Sequence, residues 1–587
     1  MRTAVFACAV LASVLALLPR ASRAQSDPLV FDDGFDCRLW FPDGDGDDFG
    51  TPTGAVVTCA PPAGFVLNDD DCDDADPATF PGAVDDPDPL ARDRNCDGID
   101  GTEAAAVFVS VGGAGSGECL RASPCSTLAF ALTRLSAQRP DVYMSAGAYG
   151  VGLQSLPNVR IFGGFDVAWQ RTTDPFDDPH RVTFVGTFVD AQSAMVFTMQ
   201  AATVGLFDLV IDAPNANAPG SSSYAIRAVN STLRIERVQV LQGDGADGTS
   251  GSNGQNAVSL ATPTGGSVGG PGGEIPPATC DDSTRGAAGG RMTNTCAVSP
   301  STRDMDGGVG GVGGTADADC DAFPPNFAER PGQPGTPPDH TPPATGGIAG
   351  TVCNGGGTGP SGLVANGPAG LRNAGSSLQA APNALWFANA GNGGGTGENG
   401  GGGAGGGGAG GCGTGTDDFG AGGGGGAAGG CAARSAGGGG GGGGGSFGVF
   451  AFQSTVVAND VDFTRGVAGD GGPGGSGGRG QPGGVGRNGG TASPDGGAGG
   501  AGGDGAHGGH GGGGAGGQGG DSAAFLSFQS TITRTLNTTL GGTAGSGGAA
   551  GISAPTAPLA EDDGNDGQSG NNGTLAVVRT CATLVSC

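Results

Sequence analysis

Between residues 106 and 240 the apolar residues come in short bursts: 107–111 (VFVSV), 142–144 (VYM), 159–162 (VRIF), 182–185 (VTFV), 195–197 (MVF) and 206–211 (LFDLVI). Bursts this short, rich in β-branched and aromatic residues and separated by turn formers, predict strands. One helix interrupts them. Ser126 stands as its N-cap, and Leu128, Ala131, Leu132 and Leu135 fall at i, i+3, i+4 and i+7, an apolar face suited to lie as a lid on a core.

A longer period lies over the short one. Segments 223–232 (SYAIRAVNST), 446–455 (SFGVFAFQST) and 522–531 (SAAFLSFQST) share one template, each followed by a second β-prone run and then by glycine. None holds enough apolar residues for a core of its own, so the template predicts units stacked in one solenoid, with Ile226, Val449 and Phe525 at equivalent interior positions. The unequal gaps between units predict long excursions. Within them glycine recurs at every third position, from Gly471 to Gly489 and from Gly496 to Gly520. A three-residue period matches an extended polyproline-II helix. Collagen needs proline-rich X and Y positions, whereas here these are often Gly, Ala, Asp or Ser. The pattern therefore predicts polyglycine-II-like extended helices bundled closely, their backbones hydrogen-bonded where side chains are absent.

Upstream, residues 43–100 carry a different pattern: 43–50 (DGDGDDFG), 59–65 (CAPPAGF), 69–76 (DDDCDDAD), 81–83 (PGA) and 93–100 (DRNCDGID). Carboxylates at alternate positions, with glycine to let the chain curl, place hard oxygen ligands around one small loop, as in the first half of an EF-hand. Asp43, Asp45, Asp47 and the Phe49 carbonyl form the local set. Gly54 stands where an EF-hand has its bidentate Glu, so further charge is expected from Asp69, Asp71, Asp73 and Asp76 and from Asp93, Asn95, Asp97 and Asp100. Residues 32–100 hold nineteen Asp against three Arg, a density that repels itself unless cations intervene.

The order of these pieces resembles the MopE-type metal-binding repeat of bacterial secreted proteins, itself similar to thrombospondin type-3 calcium repeats. The chain departs from that pattern at residues 84–87 (VDDP), where a second Cys usually precedes the last motif; Cys37 is a candidate for the missing half-cystine. Copper, which the family name implies, suits imidazole or soft sulfur, and the block holds neither His nor Met. Segments 124–132 (PCSTLAFAL), 141–149 (DVYMSAGAY) and 160–169 (RIFGGFDVAW) resemble the opening of pectate-lyase-like right-handed parallel β-helices, in which such a helix caps the first coil. The glycine-rich segments resemble PGRS-type proteins in composition alone.

The N-terminus, with Arg2, an apolar run from Ala4 to Leu18 and Ser22-Arg23-Ala24, reads as a secretory signal peptide. No second apolar run approaches a membrane span. Cys8 leaves with the leader and an even number of cysteines remains, expected to be paired in an oxidising compartment. Neighbours in sequence suggest Cys119 with Cys125, Cys280 with Cys296, Cys320 with Cys353, Cys412 with Cys431 and Cys581 with Cys587. The net charge is −30 and there is no lysine, which argues against a nucleic-acid partner.

Candidate chemistry elsewhere is thin. Asp174, Asp177, Asp178, His180 and Arg181 sit in a proline-rich loop, His507 and His510 form an HGGH pair, and 562–567 (DDGNDG) has the look of another calcium loop. The segments divide as signal peptide 1–24, acidic metal-binding module 25–104, β-helix 105–242, glycine-rich excursion 243–445, coil 446–468, excursion 469–520 and terminal coils 521–587. The whole is expected to be an all-β right-handed parallel β-helix, preceded by a small calcium-binding module and carrying glycine-rich excursions. It reads as a secreted or cell-surface Ca²⁺-binding structural or adhesive protein without catalysis, in contact with polysaccharide or other matrix components. Rival readings are a polysaccharide lyase or hydrolase, with Arg160 or Arg171 as base, and a copper- or transition-metal-binding secreted protein.

Overall fold

The computed structural model describes residues 37–275, 285–315, 330–338, 345–373, 375–412, 417–561 and 564–587. The leader, Cys280, Cys320, Asp562 and Asp563 lie outside the described residues. The chain forms two compact units, one ending at Ala104 and the other Ala105–Cys587. It is nearly all β; among the described residues the α-helix is a single turn, Leu128–Ala131.

In the smaller unit Arg38–Pro42 pairs antiparallel with both Val56–Thr58 and Phe65–Val66. Disulfides Cys37–Cys59 and Cys72–Cys96 cross-link the rest. Cys37 is thus partnered within the first half of the unit.

The larger unit holds long parallel sheets. The six apolar bursts lie inside the strands Ala106–Ala114, Asp141–Ser145, Val159–Phe165, Val182–Gly186, Ser193–Gln200 and Thr203–Asp212. In a seven-stranded sheet Ser193–Gln200, Ser222–Val229, Ser446–Phe452, Ser522–Phe528 and Leu575–Cys581 follow one another in parallel. In a ten-stranded sheet Thr203–Asp212, Thr232–Leu241 and Thr455–Val467 do the same, and Thr455–Val467 then pairs with both Thr531–Thr535 and Thr538–Thr543. Ile226, Val449 and Phe525 face one another in register and are fully buried. Each strand passes from the first sheet to the second through one left-handed residue: Ala201, Asn230, Gln453 and Gln529, with φ between 48° and 50°. A second such corner recurs at Asp208, Arg237, Asp460 and Leu536. None of these is glycine; Asn and Asp tolerate the left-handed conformation, whereas Ala201, Arg237, Gln453, Gln529 and Leu536 adopt it at a cost. Ser231 and Ser454 receive at Oγ the N–H of Ala202 and Ser231, and Ser530 that of Ser454, at 2.9–3.2 Å.

The helix differs from expectation in its cap. The helix starts at Leu128, so Thr127 is its N-cap and accepts from the Phe130 N–H at 3.3 Å, while the Ser126 N–H donates to the Ala114 carbonyl. A short 3₁₀ turn, Leu132–Arg134, follows.

The strands run on into the glycine-rich segments, where hydrogen bonds recur every third residue. Gly471, Gly474 and Gly477 donate to the carbonyls of Ser546, Ala549 and Ile552 at 2.8–2.9 Å, while Gly472, Gly475 and Gly478 donate to Gly441, Gly438 and Ser435. A Cβ on Gly474 would lie 2.0 Å from the Gly514 carbonyl oxygen, and one on Gly475 2.0 Å from that of Ser252. One row of side chains here faces outward: Asp470 and Pro473 are exposed, Ser476 and Arg479 half-exposed. Residues 399–412 and 418–433, almost wholly Gly and Ala, are buried along nearly their full described length.

Packing of remote segments also decides the disulfides. Cys119–Cys125 and Cys581–Cys587 join neighbours as expected, but Cys296 bonds Cys431 and Cys353 bonds Cys412. The pairs Cys280 with Cys296, Cys320 with Cys353 and Cys412 with Cys431 are therefore overturned. Sequence neighbours diverge within the bundle, while segments 135 residues apart touch.

A second apolar cluster lies on the seven-stranded sheet, where Tyr224, Phe447 and Phe450 meet Leu378, Leu385 and Trp386. The Tyr224 hydroxyl accepts from the Trp386 N–H at 2.9 Å, and burial pushes its pKa up from 10.0 to about 12. The neutral phenol is favoured in the folded state, so this stabilisation is complete below pH 10 and is lost as pH rises toward 12, because the unfolded chain ionises first. Denaturant midpoints should fall across that window, and Tyr224→Phe should make the fall shallower; Tyr149, also raised by burial, leaves a residual slope. Phe525→Ala should cost about 3–5 kcal/mol in chemical denaturation, and a loss under about 1 kcal/mol would contradict its interior position.

Candidate metal centre

Backbone conformation comes first. Gly46 and Asp48 adopt φ of 88° and 75°, curling the chain so that ligand atoms of Asp43, Asp45 and Asp47 lie within 4.8 Å of one another. The Asp43 carboxylate accepts from the Gly46 N–H at 2.7 Å and the Asp48 N–H at 3.3 Å, and Asp47 Oδ1 from the Phe49 N–H at 2.9 Å. These bonds orient the carboxylates. Among the described residues Asp47 Oδ2 has no donor and the oxygens of Asp45 have no hydrogen bond of normal geometry, the Asp47 N–H being the one backbone group that favours the Asp45 charge; all three atoms are shielded from solvent.

Asp71 enters this loop from the next segment. The approach needs glycine: a Cβ on Gly50 would meet the Pro42 carbonyl and the Val66 side chain, both at 2.8 Å. With that space open, Gly50 N–H donates to Asn68 Oδ1 and the Asp71 N–H to the Gly50 carbonyl, each at 3.1 Å. Asp71 is 7% exposed; its Oδ1 accepts from the Asp73 N–H at 2.9 Å and its Oδ2 has no donor. Burial raises the pKa of Asp45 and of Asp71, and the Asp47 charge raises both further. Three carboxylates, those of Asp43, Asp45 and Asp47, thus converge in the loop, and Asp71 lies near enough for its charge to bear on Asp45.

Residues 93–99 repeat the device. Cys96 and Gly98, at φ of 59° and 91°, occupy the places of Gly46 and Asp48. Asp93 accepts from the Asp97 and Gly98 N–H groups at 3.2 and 2.7 Å, Asn95 Oδ1 from Asp97 at 3.0 Å, and Asp97 Oδ1 from Ile99 at 3.2 Å. Burial raises the pKa of Asp97, with Asp93 and Glu103 adding to it. The two loops are linked by the stacked rings of Phe49 and Phe80, 5.4 Å apart, and by the Phe80 N–H donating to the Arg94 carbonyl.

The remaining expected ligands stand apart. Asp69 and Asp73 are exposed. Asp76 accepts from Ala78 and Thr79 and faces Arg92 at 4.0 Å. Asp100 accepts from the Asp88 N–H at 3.0 Å. Sequence reasoning passed over two residues. Asp74 Oδ1 receives the Gly44 N–H at 2.7 Å, and Asp85, 3% exposed, lies beneath the second loop.

In the larger unit the other candidates are engaged in local structure. Asp174 caps the Phe176 N–H and Arg181 donates to the Phe176 carbonyl. His507 and His510 stack at 4.6 Å, and His510 Nδ1 accepts from the Gly480 N–H at 3.0 Å. Arg160 clasps Asp141 at 2.8 and 2.6 Å. Arg171 is enclosed against Asp208, which also takes Arg237 at 2.5 and 2.6 Å.

Gly50→Ala should push the Asn68 to Asp71 segment out of the first loop and destabilise the smaller unit by about 1–3 kcal/mol. Hydrogen exchange should then quicken over residues 38–71 and stay unchanged in the larger unit; protection equal to wild type would refute the packing argument. Searches against protein-family models, curated proteins and solved structures find no match to this chain.

Proposed function

We propose that this is a secreted or cell-surface structural protein whose acidic unit binds Ca²⁺. The observation that carries the reading is the set of shielded oxygens on Asp45, Asp47 and Asp71 that have no hydrogen bond of normal geometry among the described residues. Buried charge without a partner is strongly unfavourable, and a hard divalent cation with oxygen ligands relieves it. Asp43, Asp45, Asp47, Asp71 and the Phe49 carbonyl supply the ligands. Cys37, Cys59, Cys72 and Cys96 are in disulfides, so among the described residues of this unit oxygen is the donor on offer and calcium suits the set better than copper.

The larger unit serves in this reading as a scaffold: a right-handed parallel β-helix with polyglycine-II-like excursions, presented to matrix or polysaccharide. Support comes from the parallel stacking with constant corners, from the three-residue hydrogen-bond period, and from the ion pairs that occupy Arg160 and Arg171. The order of motifs in residues 43–100 supports kinship with the MopE-type repeat.

Calcium should raise the melting temperature of the smaller unit in the full secreted chain, by about 2.7 kcal/mol of added stability at a hundredfold excess over Kd. Asp45→Asn should weaken binding by about tenfold or more. Identical melting of residues 37–104 in chelator and in millimolar calcium, followed by hydrogen exchange, would sink the reading.

A further inference from the structure

The ten-stranded sheet of the larger unit is finished differently at its two edges. At one, Ala106–Ala114 is closed by the segment that follows it. The Phe108 N–H donates to the Cys119 carbonyl at 2.8 Å and the Ala114 N–H to the Pro124 carbonyl at 2.9 Å, while the Ser126 N–H returns to the Ala114 carbonyl at 2.8 Å. The Cys119–Cys125 disulfide fixes that segment, and Arg139 donates to the carbonyls of Ala106, Glu118 and Cys119 at 2.8–2.9 Å. At the other edge Thr531–Thr535 and Thr538–Thr543 pair inward with Thr455–Val467, and among the described residues no strand pairs with their outer side.

The open edge differs from the rest of the surface in composition. Leu536 and Leu540 are 75% and 66% exposed, and Leu575 and Val577, on the last strand of the seven-stranded sheet, are exposed as well. Proteins usually blunt an edge strand with charge or proline, yet residues 531–543 (TITRTLNTTLGGT) hold no proline and a single charge, Arg534. Of the 56 Asp and Glu in the chain, none lies in residues 522–560 or 567–587. Asp462, one strand inward, takes the hydroxyl of Thr538. A molecule of net charge −30 thus keeps its exposed sheet edge free of carboxylates.

We infer that this edge is a self-association surface: a second copy of the chain pairs with it antiparallel about a two-fold axis, and the ten-stranded sheet continues from one molecule into the next. Charge selects the place of contact, because two chains of net −30 repel wherever acidic surfaces meet and approach at least cost where both lack carboxylates. The closed edge at Ala106–Ala114 decides the symmetry. With no free strand there to receive the open edge, head-to-tail stacking is blocked, and like edge meets like edge in a closed dimer.

Sedimentation velocity of the full chain tests the contact. A dimer is expected, and it should tighten as sodium chloride screens the mutual repulsion. Leu536→Glu combined with Leu540→Glu should weaken it by about tenfold or more, by setting like charges against one another across the axis. Both side chains are exposed in the single molecule, so the fold is expected to survive, as circular dichroism would report. Should the double variant fail to fold, hydrogen exchange of the wild type decides: amides of residues 531–543 gain protection as protein concentration rises, and those of 106–114 do not. A monomer at every concentration and salt overturns the contact, as does protection at 531–543 that is independent of concentration. A dimer indifferent to the two leucine changes is held elsewhere and refutes it equally, and particles that grow beyond two copies refute the two-fold closure.

Discussion

A backbone can approach a neighbouring carbonyl this closely only where it carries no Cβ itself, and much of the larger unit is organised around that restriction. A segment with several neighbours is almost wholly Gly and Ala, as in residues 399–412; one at the boundary keeps a side chain in its outward row, as at Asp470 and Pro473. Composition here reports position. Glycine loses the most conformational freedom on ordering, so such a bundle stands only if its backbone hydrogen bonds are dense and its ends anchored. The parallel strands provide the anchor, since each glycine segment enters or leaves a strand already fixed in register.

The smaller unit is governed by the opposite problem, an excess of one charge with too little counter-charge. Backbone N–H groups orient Asp43, Asp47, Asp93 and Asp97 from behind, yet among the described residues Asp45, Asp71 and Asp85 keep shielded oxygens without a hydrogen bond of normal geometry. Fixing like charges near one another costs free energy, which is why the pKa of Asp45 and of Asp71 is raised. The stacked rings of Phe49 and Phe80 and the Phe80 N–H on the Arg94 carbonyl join the two loops.

Much of this was legible from the chain alone. The apolar bursts lie within strands because β-branched runs bounded by turn formers leave little choice. The Ser-to-Ser-Thr template implied the mutual register of Ile226, Val449 and Phe525 because parallel neighbours in one sheet repeat the same inward positions. What escaped depends on contacts between distant segments. Cys296 finds Cys431 through packing of remote segments that spacing does not encode, and Thr127 rather than Ser126 is the cap because the helix starts one residue later than the pattern implies. Asp74 and Asp85 were hidden for a related reason: an alternating motif advertises the ligands within a loop, whereas a carboxylate delivered from another segment looks like any other acidic residue.

The spacing between stacked strands has a kinetic consequence. Ser222–Val229 meets its next neighbour 223 residues later, so on a chain made from its N-terminus the edge of the first coils stays bare while the whole intervening stretch emerges. Loop-closure entropy must be met before that pairing gives anything back. An intervening stretch rich in large apolar residues would collapse onto the waiting edge and trap it. Glycine, with nothing to bury, is a poor competitor for that edge, and the same residue that later permits close packing keeps the unfinished molecule out of error.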